Sequence, residues 1–241
     1  MPKKGDSPMI KTYAIALGEG NEPPDEKLLK YWKEDHARLA AKIIPGVKKY
    51  IQSHPVDIPG FQSDVARIAE MWWDSVESFQ AYQKWRQTDA AKVLLADEQK
   101  MSASRRLRFI ADEYVVLDLF PQGKTPRTDK VFKTFAITLK EGGRPPDPEL
   151  LRYWKEEHAP LAVKIIPGVS KYVQSHPIEV SGFESDVARI AETWWDSVET
   201  YQAYQKWRQT DAAKVLLADE QKMSASRRLR FAAREFLVVE R

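Results

Sequence analysis

Four histidines are the side chains of this sequence best suited to proton transfer near neutral pH: His36, His54, His158 and His176. They are two positions, each written twice. Placed on a helix at about 100° per residue, Leu28, Trp32, Leu39 and Ile43 form a narrow apolar stripe, and His36 falls inside it. It therefore points toward a sheet, not toward water. Two readings stay open from the residues alone: a core histidine satisfied by a carbonyl, or a proton carrier in a pocket. His54 closes an alternating segment in which Tyr50, Gln52 and His54 share one face and Val47, Lys49, Ile51 and Ser53 the other. A face of Tyr, Gln and His suits a polar-tipped pocket under helices; the plainer reading is a strand-end residue before Pro55. Trp72 and Trp73 are neighbours on a strand, so one faces the helices and the other the far side of the sheet.

Composition removes much else. With no cysteine there is no disulfide framework, thiolate zinc site, iron–sulfur cluster or cysteine nucleophile. No glycine-rich phosphate loop, GxSxG elbow or HExxH pair occurs in a suitable context. A metal site from His36, His54 and Glu70 or Glu113 can be drawn, but no spacing demands it, and no metal is expected. Arg105–Arg108 reads as a solvated helix face. Across 241 residues, 38 basic against 35 acidic side chains leave a net charge of +3, which calls for neither nucleic acid nor anionic membrane as partner. No apolar run reaches the roughly 18 residues of a spanning helix. Met1–Asp6 lacks the apolar core of a secretory leader. A cytoplasmic location is the expectation.

What must position the histidines is a duplicated unit. Asp64–Glu70 (DVARIAE) returns as Asp186–Glu192, and Trp72–Glu77 (WWDSVE) as Trp194–Glu199. Residues 11–119 align with 133–241 without a gap, and roughly three-quarters of the positions are identical. The division is a first unit 1–119, a linker 120–131 rich in Pro, Gly and polar residues, and a second unit 132–241. Within one copy, Lys11–Leu17 reads as a strand. Pro23-Pro24 then stops the chain, and a helix capped by Asp25 ends at Pro45-Gly46. Val47–His54 and Val65–Trp73 read as strands. Asp74 caps a helical region that runs to about Arg108, and Tyr114–Leu117 is a short last strand. The order βαββαβ is ferredoxin-like. Two helices cover one face of its four-stranded sheet, so the other needs burial, and the second copy supplies it. The expected fold is α+β: two tandem ferredoxin-like units packed sheet to sheet, a pseudo-dimer within one chain that forms an eight-stranded barrel.

The motifs resemble a known family. Tyr31-Trp32-Lys33-Glu34-Asp35-His36-Ala37-Arg38-Leu39 is similar to the YWxxxHAPL helix of the EthD-like family, and Tyr153–Leu161, with Pro160 in place of Arg38, is closer still. Pro45-Gly46-Val47 with Tyr50–His54 resembles its PGxxxYVQNH strand, and Glu70–Ser75 its ELWFDS junction. The resemblance covers both copies almost end to end. It implies the dimeric α+β barrel superfamily, a pocket between helices and sheet in each unit, and small-molecule chemistry without a cofactor. It also implies relatives such as muconolactone methylisomerases and polyketide-tailoring decarboxylases. On this reading the protein is an isomerase or lyase. His54 and His176 are general acid–base groups with Tyr50 and Tyr172 beside them, and His36 and His158 are second proton carriers or orienters. Tyr31, Tyr153, Trp72, Trp73, Trp194 and Trp195 complete the substrate contacts. A haem- or metal-using barrel enzyme and a non-catalytic carrier of a hydrophobic metabolite are the alternatives.

Overall fold

The computed structural model describes residues 9–18, 25–101, 103, 105–121, 124–126, 128–223 and 225–241. The expectations for Met1–Asp6, for the Pro23-Pro24 stop and for Gln122, Gly123 and Arg127 of the linker fall outside these residues.

In the first copy, β1 (Ile10–Leu17) is followed by α1 (Glu26–Tyr31), a π-helical turn (Trp32–His36) and α2 (Ala37–Ile43). Asp25 caps α1 by accepting from the Lys27 and Leu28 amides. Gly46, at φ 74°, turns the chain into β2 (Val47–Pro55). After β3 (Val65–Trp73) comes α3 (Val76–Trp85), whose cap is Ser75, one residue beyond the expected Asp74. Its hydroxyl accepts from the Ser78 amide while Ser78 Oγ accepts from the Ser75 amide. Then follow α4 (Lys92–Gln99) and β4 (Arg106–Asp118). The second copy repeats the pattern with β5 (Phe132–Leu139), α5 (Pro148–Tyr153), a second π turn (Trp154–His158), α6 (Ala159–Ile165), β6 (Val169–Pro177), β7 (Val187–Trp195), α7 (Val198–Trp207), α8 (Lys214–Lys222) and β8 (Arg228–Glu240).

The eight strands close into one barrel in the order β1-β3-β2-β8-β5-β7-β6-β4, every pair antiparallel, with the helices outside. Copies meet where β2 pairs β8 and β6 pairs β4. This corrects two expectations. The helical region does not reach Arg108, and Arg106 and Arg108 alternate with buried Leu107 and Phe109 in β4 rather than forming a solvated helix face. Nor is the last strand short. It has 13 residues because it serves two sheets: Arg106–Asp112 pairs with β1, and Ala111–Asp118 pairs with β6 of the other copy. No partner for that second half exists within one unit. The Val47/Lys49 bulge in β2 also turns Val47 onto the Tyr50 side, away from Ile51 and Ser53.

The barrel interior has two layers. One is apolar and drawn from both copies, with Ile15, Ile68, Phe109, Ile137, Ile190 and Phe231 at its centre. The other is charged. Lys11 Nζ lies 2.9 Å from Glu70, 2.9 Å from Glu113 and 2.6 Å from Glu192, and Lys133 Nζ lies 2.8, 2.7 and 2.8 Å from Glu70, Glu192 and Glu235. Lys11, Lys133, Glu70 and Glu192 are buried to 1% exposure or less. Burial works against both ammonium groups, but the surrounding carboxylates outweigh it and hold both lysines above their ordinary range. Burial raises the Glu70 carboxyl, whereas the two lysines and their hydrogen bonds override burial at Glu192 and lower it. Tyr13 donates to Glu192 (2.6 Å) and meets Ser175 Oγ at 2.5 Å, while its twin position carries Phe135 and its hydroxyl has no counterpart. Breaking such a cluster from one side strands buried charge. Lys133→Met is therefore expected to lower unfolding free energy by about 3–5 kcal/mol, read from urea denaturation midpoints. A loss below about 1 kcal/mol, the worth of a surface pair, would show that the layer is not a structural keystone.

Candidate functional site

Each site begins with a break in helix periodicity. The Trp32 carbonyl accepts the amide of Ala37, five residues on, and also the side-chain amide of Gln52 at 2.8 Å. In the second copy the Trp154 carbonyl takes Ala159 N–H and Gln174 Nε2 at 2.9 Å. A side chain entering the helical ladder widens the turn. This widened turn presents buried Trp32 and His36 to the sheet.

His36 does not end on a carbonyl. Its Nδ1 meets Asp97 Oδ2 at 2.7 Å, and Asp97 Oδ1 accepts the Tyr31 hydroxyl. His158, Asp219 and Tyr153 repeat the arrangement, with Nδ1 2.6 Å from the carboxylate. Burial alone would raise these carboxyls. Hydrogen bonds from the tyrosine and histidine reverse that and hold both Asp97 and Asp219 below the usual range. A carboxylate on Nδ1 selects the tautomer with its proton there and leaves Nε2 as the basic atom.

His36 lines a cavity of about 170 Å³ between the helices and the β1–β3 face, and His158 lines its twin of about 220 Å³. The first cavity is apolar at Trp32, Ile44, Tyr50, Met71 and Phe79 and cationic at Arg67, Arg86 and Arg106. Arg86 is committed to Glu98 through two bonds of 2.7 Å, which hold its guanidinium above its ordinary range. Arg67 donates to the Met101 carbonyl, and burial, with Arg106 adding repulsion, lowers it to about 10, still a cation at pH 7. Burial raises Tyr50 well above its usual value, outweighing its hydrogen bonds, so its hydroxyl stays protonated. Each cavity borrows one wall from the other copy. Phe183, from the β6–β7 connection, lines the first and packs edge-on to Phe79 at 5.7 Å; Phe61, from the β2–β3 connection, lines the second and packs on Tyr201 at 6.1 Å.

The histidines of one copy do not share a cavity. The His54 ring packs on Trp32 (4.6 Å between centroids), donates from Nε2 to Gln52 Oε1 at 3.0 Å, and lines a separate cavity at the barrel mouth. Burial, then Lys33 and Arg67, lowers it to about 4; His176 is likewise lowered to about 4 by burial, Lys155 and Arg189. At about 3.3 Å per residue the strand has run roughly 13 Å from Tyr50 to His54, whose ring meets Trp32, a wall of the helix-side cavity, rather than the cavity itself. Of the other expected contacts, Tyr50 and Tyr172 line the cavities, as does Trp195. Trp73 backs its cavity by stacking on Tyr82 and donating to Thr12 at 3.0 Å. Trp72 and Trp194 face the barrel interior over Lys11 and Lys133, and Tyr31 and Tyr153 act through the aspartates. The drawn metal site is not assembled, because Glu70 and Glu113 bind Lys11 inside the barrel.

Asp97, Arg67 and the crossing phenylalanines were not anticipated. A signal for Asp97 was available: Leu94, Asp97 and Met101 recur at helical spacing and all three are buried, so a carboxylate interrupts an inward face. No comparable signal marks Phe61 or Phe183, whose partners lie in the other copy.

Two βαββαβ units sharing one eight-stranded barrel, with a cavity beneath each helix layer, define a dimeric α+β barrel protein, here closed within a single chain. The EthD domain matches residues 24–105 and again 146–227, and the chain belongs to this family. Among solved structures it is similar to an anthrone oxidase-like protein (12% identity, 98% of this chain and 95% of that one covered, TM-score 0.68). It is also similar to a provisionally assigned monooxygenase from Fusobacterium nucleatum (12% identity, 95% and 93% covered, TM-score 0.55). An EthD family protein from Bacillus halodurans matches at 26% identity over 44% of this chain and 99% of its own, with a TM-score of 0.35. No curated protein matches.

Because the Asp97 and Asp219 carboxyls are held below their unfolded range, the stability they contribute is present above the unfolded pKa and is lost as pH falls through the folded value. Asp97→Asn with Asp219→Asn should flatten the acid limb of a stability–pH curve. The same change should shift His36 and His158 away from the Nδ1–H tautomer in long-range ¹H–¹⁵N spectra. An unchanged tautomer would remove the dyad from the account.

Proposed function

We propose that the chain is a cofactor-independent acid–base enzyme with two active sites, acting on a small, largely apolar molecule of about one ring. The carrying observation is the twinned histidine–aspartate pair at a cavity wall, Nδ1 held and Nε2 without a partner among the described residues. His36 or His158 takes a proton from carbon next to a carbonyl, and Arg67 or Arg189 faces the oxygen on which charge develops. Tyr50 or Tyr172 supplies a hydroxyl that does not ionise at neutral pH. Cavities of roughly 150 Å³ hold benzene, which supports the one-ring limit. Reprotonation elsewhere gives an isomerase, and loss of a leaving group gives a lyase. The structural neighbours named for anthrone oxidation and monooxygenation favour a second outcome from the same first step, reaction of the enolate with dioxygen.

Solvent-deuterium exchange into cyclic ketones and lactones, monitored by NMR beside an oxygen electrode, separates the outcomes. His36→Ala with His158→Ala should slow exchange by about 10²–10⁴-fold. Each single variant should keep part of the rate, in unequal shares, because Met71/Thr193, Ala16/Thr138 and Phe79/Tyr201 change the two cavities. His54→Ala and His176→Ala should leave exchange within about threefold of the parent, since their rings lie outside both cavities. Full activity in the double His36/His158 variant would end this reading.

A further inference from the structure

The barrel's two ends differ. Where β4 leaves and β5 begins, Asp118 pairs with Lys171 and Lys49 with Glu240, and residues 124–126, 128, 129 and 131 of the joining segment lie at this end. Phe120 at its start packs on Val173 and Trp194, with Val131 against the same cluster. Beside it, between residues 124–126, 128, 129 and 131 and the β2–β8 edge, lies a cavity of about 580 Å³. That volume is within the range of roughly 300–1,000 Å³ typical of metabolite sites, and this cavity is separate from both His–Asp cavities.

Its walls carry six basic residues. Three are already held: Lys133 by Glu70, Glu192 and Glu235, Lys171 by Asp118 at 2.8 Å, and Lys49 by Glu240 at 3.7 Å. Among the described residues, Lys33, Lys124 and Arg234 form no ion pair, and the one unpaired acid lining the cavity is Asp129. The cavity is therefore electropositive after internal pairing. Its apolar wall includes Phe236, with Lys33 Nζ 5.0 Å above the ring.

A second observation falls at the same place. Trp194 lines the cavity at 4% exposure, and among the described residues its buried indole Nε1 has no hydrogen-bond partner. Its twin is satisfied: Trp72 Nε1 donates to Glu113 Oε2 at 2.5 Å. The residue matching Glu113 is Glu235, which is turned to Lys133 instead. Buried indole N–H groups ordinarily find an acceptor, and one left open marks a place where something else supplies it.

We propose that this cavity binds one small aromatic carboxylate per chain. The carboxylate meets Lys33, Lys124 and Arg234, an acceptor on the ligand takes the Trp194 N–H, and the ring lies against Phe236. The site is single because the copies differ here. Arg234 corresponds to Asp112, which reverses the charge, and at the twin strand edge Phe120 packs on Val173.

The test is calorimetric titration of the whole chain with 1-naphthoate and with its neutral counterpart 1-naphthamide. Naphthoate is expected to bind at one per chain and naphthamide at least about tenfold more weakly, as for loss of a charge-assisted contact. Arg234→Glu and Lys124→Glu, both exposed positions, should each weaken naphthoate by about tenfold with thermal unfolding unchanged. Trp194→Phe should weaken it several-fold. The His36→Ala/His158→Ala variant should bind it as the parent does, which separates this proposal from the proposed enzyme activity. Two sites per chain, loss of binding in that double histidine variant, equal binding of the amide, or no saturable heat at millimolar probe would each overturn it.

Discussion

Two lysines and two glutamates with almost no access to water hold this molecule together, and each lysine reaches a glutamate of the other copy. Ammonium and carboxylate groups are costly to bury alone, and each lysine pairs with glutamates of both copies, so the layer is fully compensated only when both sheets are in place. That makes barrel closure cooperative across the duplication. The layer also pins register: a one-residue slip of β1 or β5 would turn its lysine out to the helix side and expose an apolar residue to the carboxylates. The helix-side cavities inherit their geometry from this, since Thr12 and Thr134 leave β1 and β5 on the opposite face, beside each lysine, and each holds the indole that backs its cavity.

Much of this was legible from residue order. The duplication, the strand alternation at Lys11–Leu17 and Val65–Trp73, and the bare sheet face led directly to a paired barrel. His36 was placed correctly by helical phase even though that phase is broken at Trp32, because the widened turn still delivers the ring to the sheet. What stayed hidden depended on the other copy or on side-chain reach. The far half of β4 pairs outside its own unit, so its length could not be read from one unit. The separation of His54 from the His36 cavity depends on how the Trp32 ring packs against it, and period-two alternation does not report that. Asp97 sits sixty-one residues from His36, and only a fold brings them together.

The two cavities are alike in their dyad and unlike in their walls. Thr193 and Thr138 add hydroxyls where Met71 and Ala16 stand, and Tyr201 adds one where Phe79 stands. Each hydroxyl in such a wall needs a partner and so favours ligands that bring one. A difference of this size is worth about 1–3 kcal/mol between ligands. The copies are thus two versions of one chemistry with separate preferences.

The crossing of Phe61 and Phe183 links those versions physically, and the covalent joint changes what such a crossing allows. In a two-chain dimer with a twofold axis, every residue appears twice and must suit both environments. Here Tyr13 stands where its mate is Phe135, and a single hydroxyl bridges Ser175 and Glu192 across the barrel. At the twin position Phe135 brings no hydroxyl, and Ser53 Oγ donates to Glu70 at 2.6 Å without one. Joining the copies removes the obligation of symmetry and keeps them paired at any dilution. Each half is then free to specialise against a barrel partner that is never identical to itself.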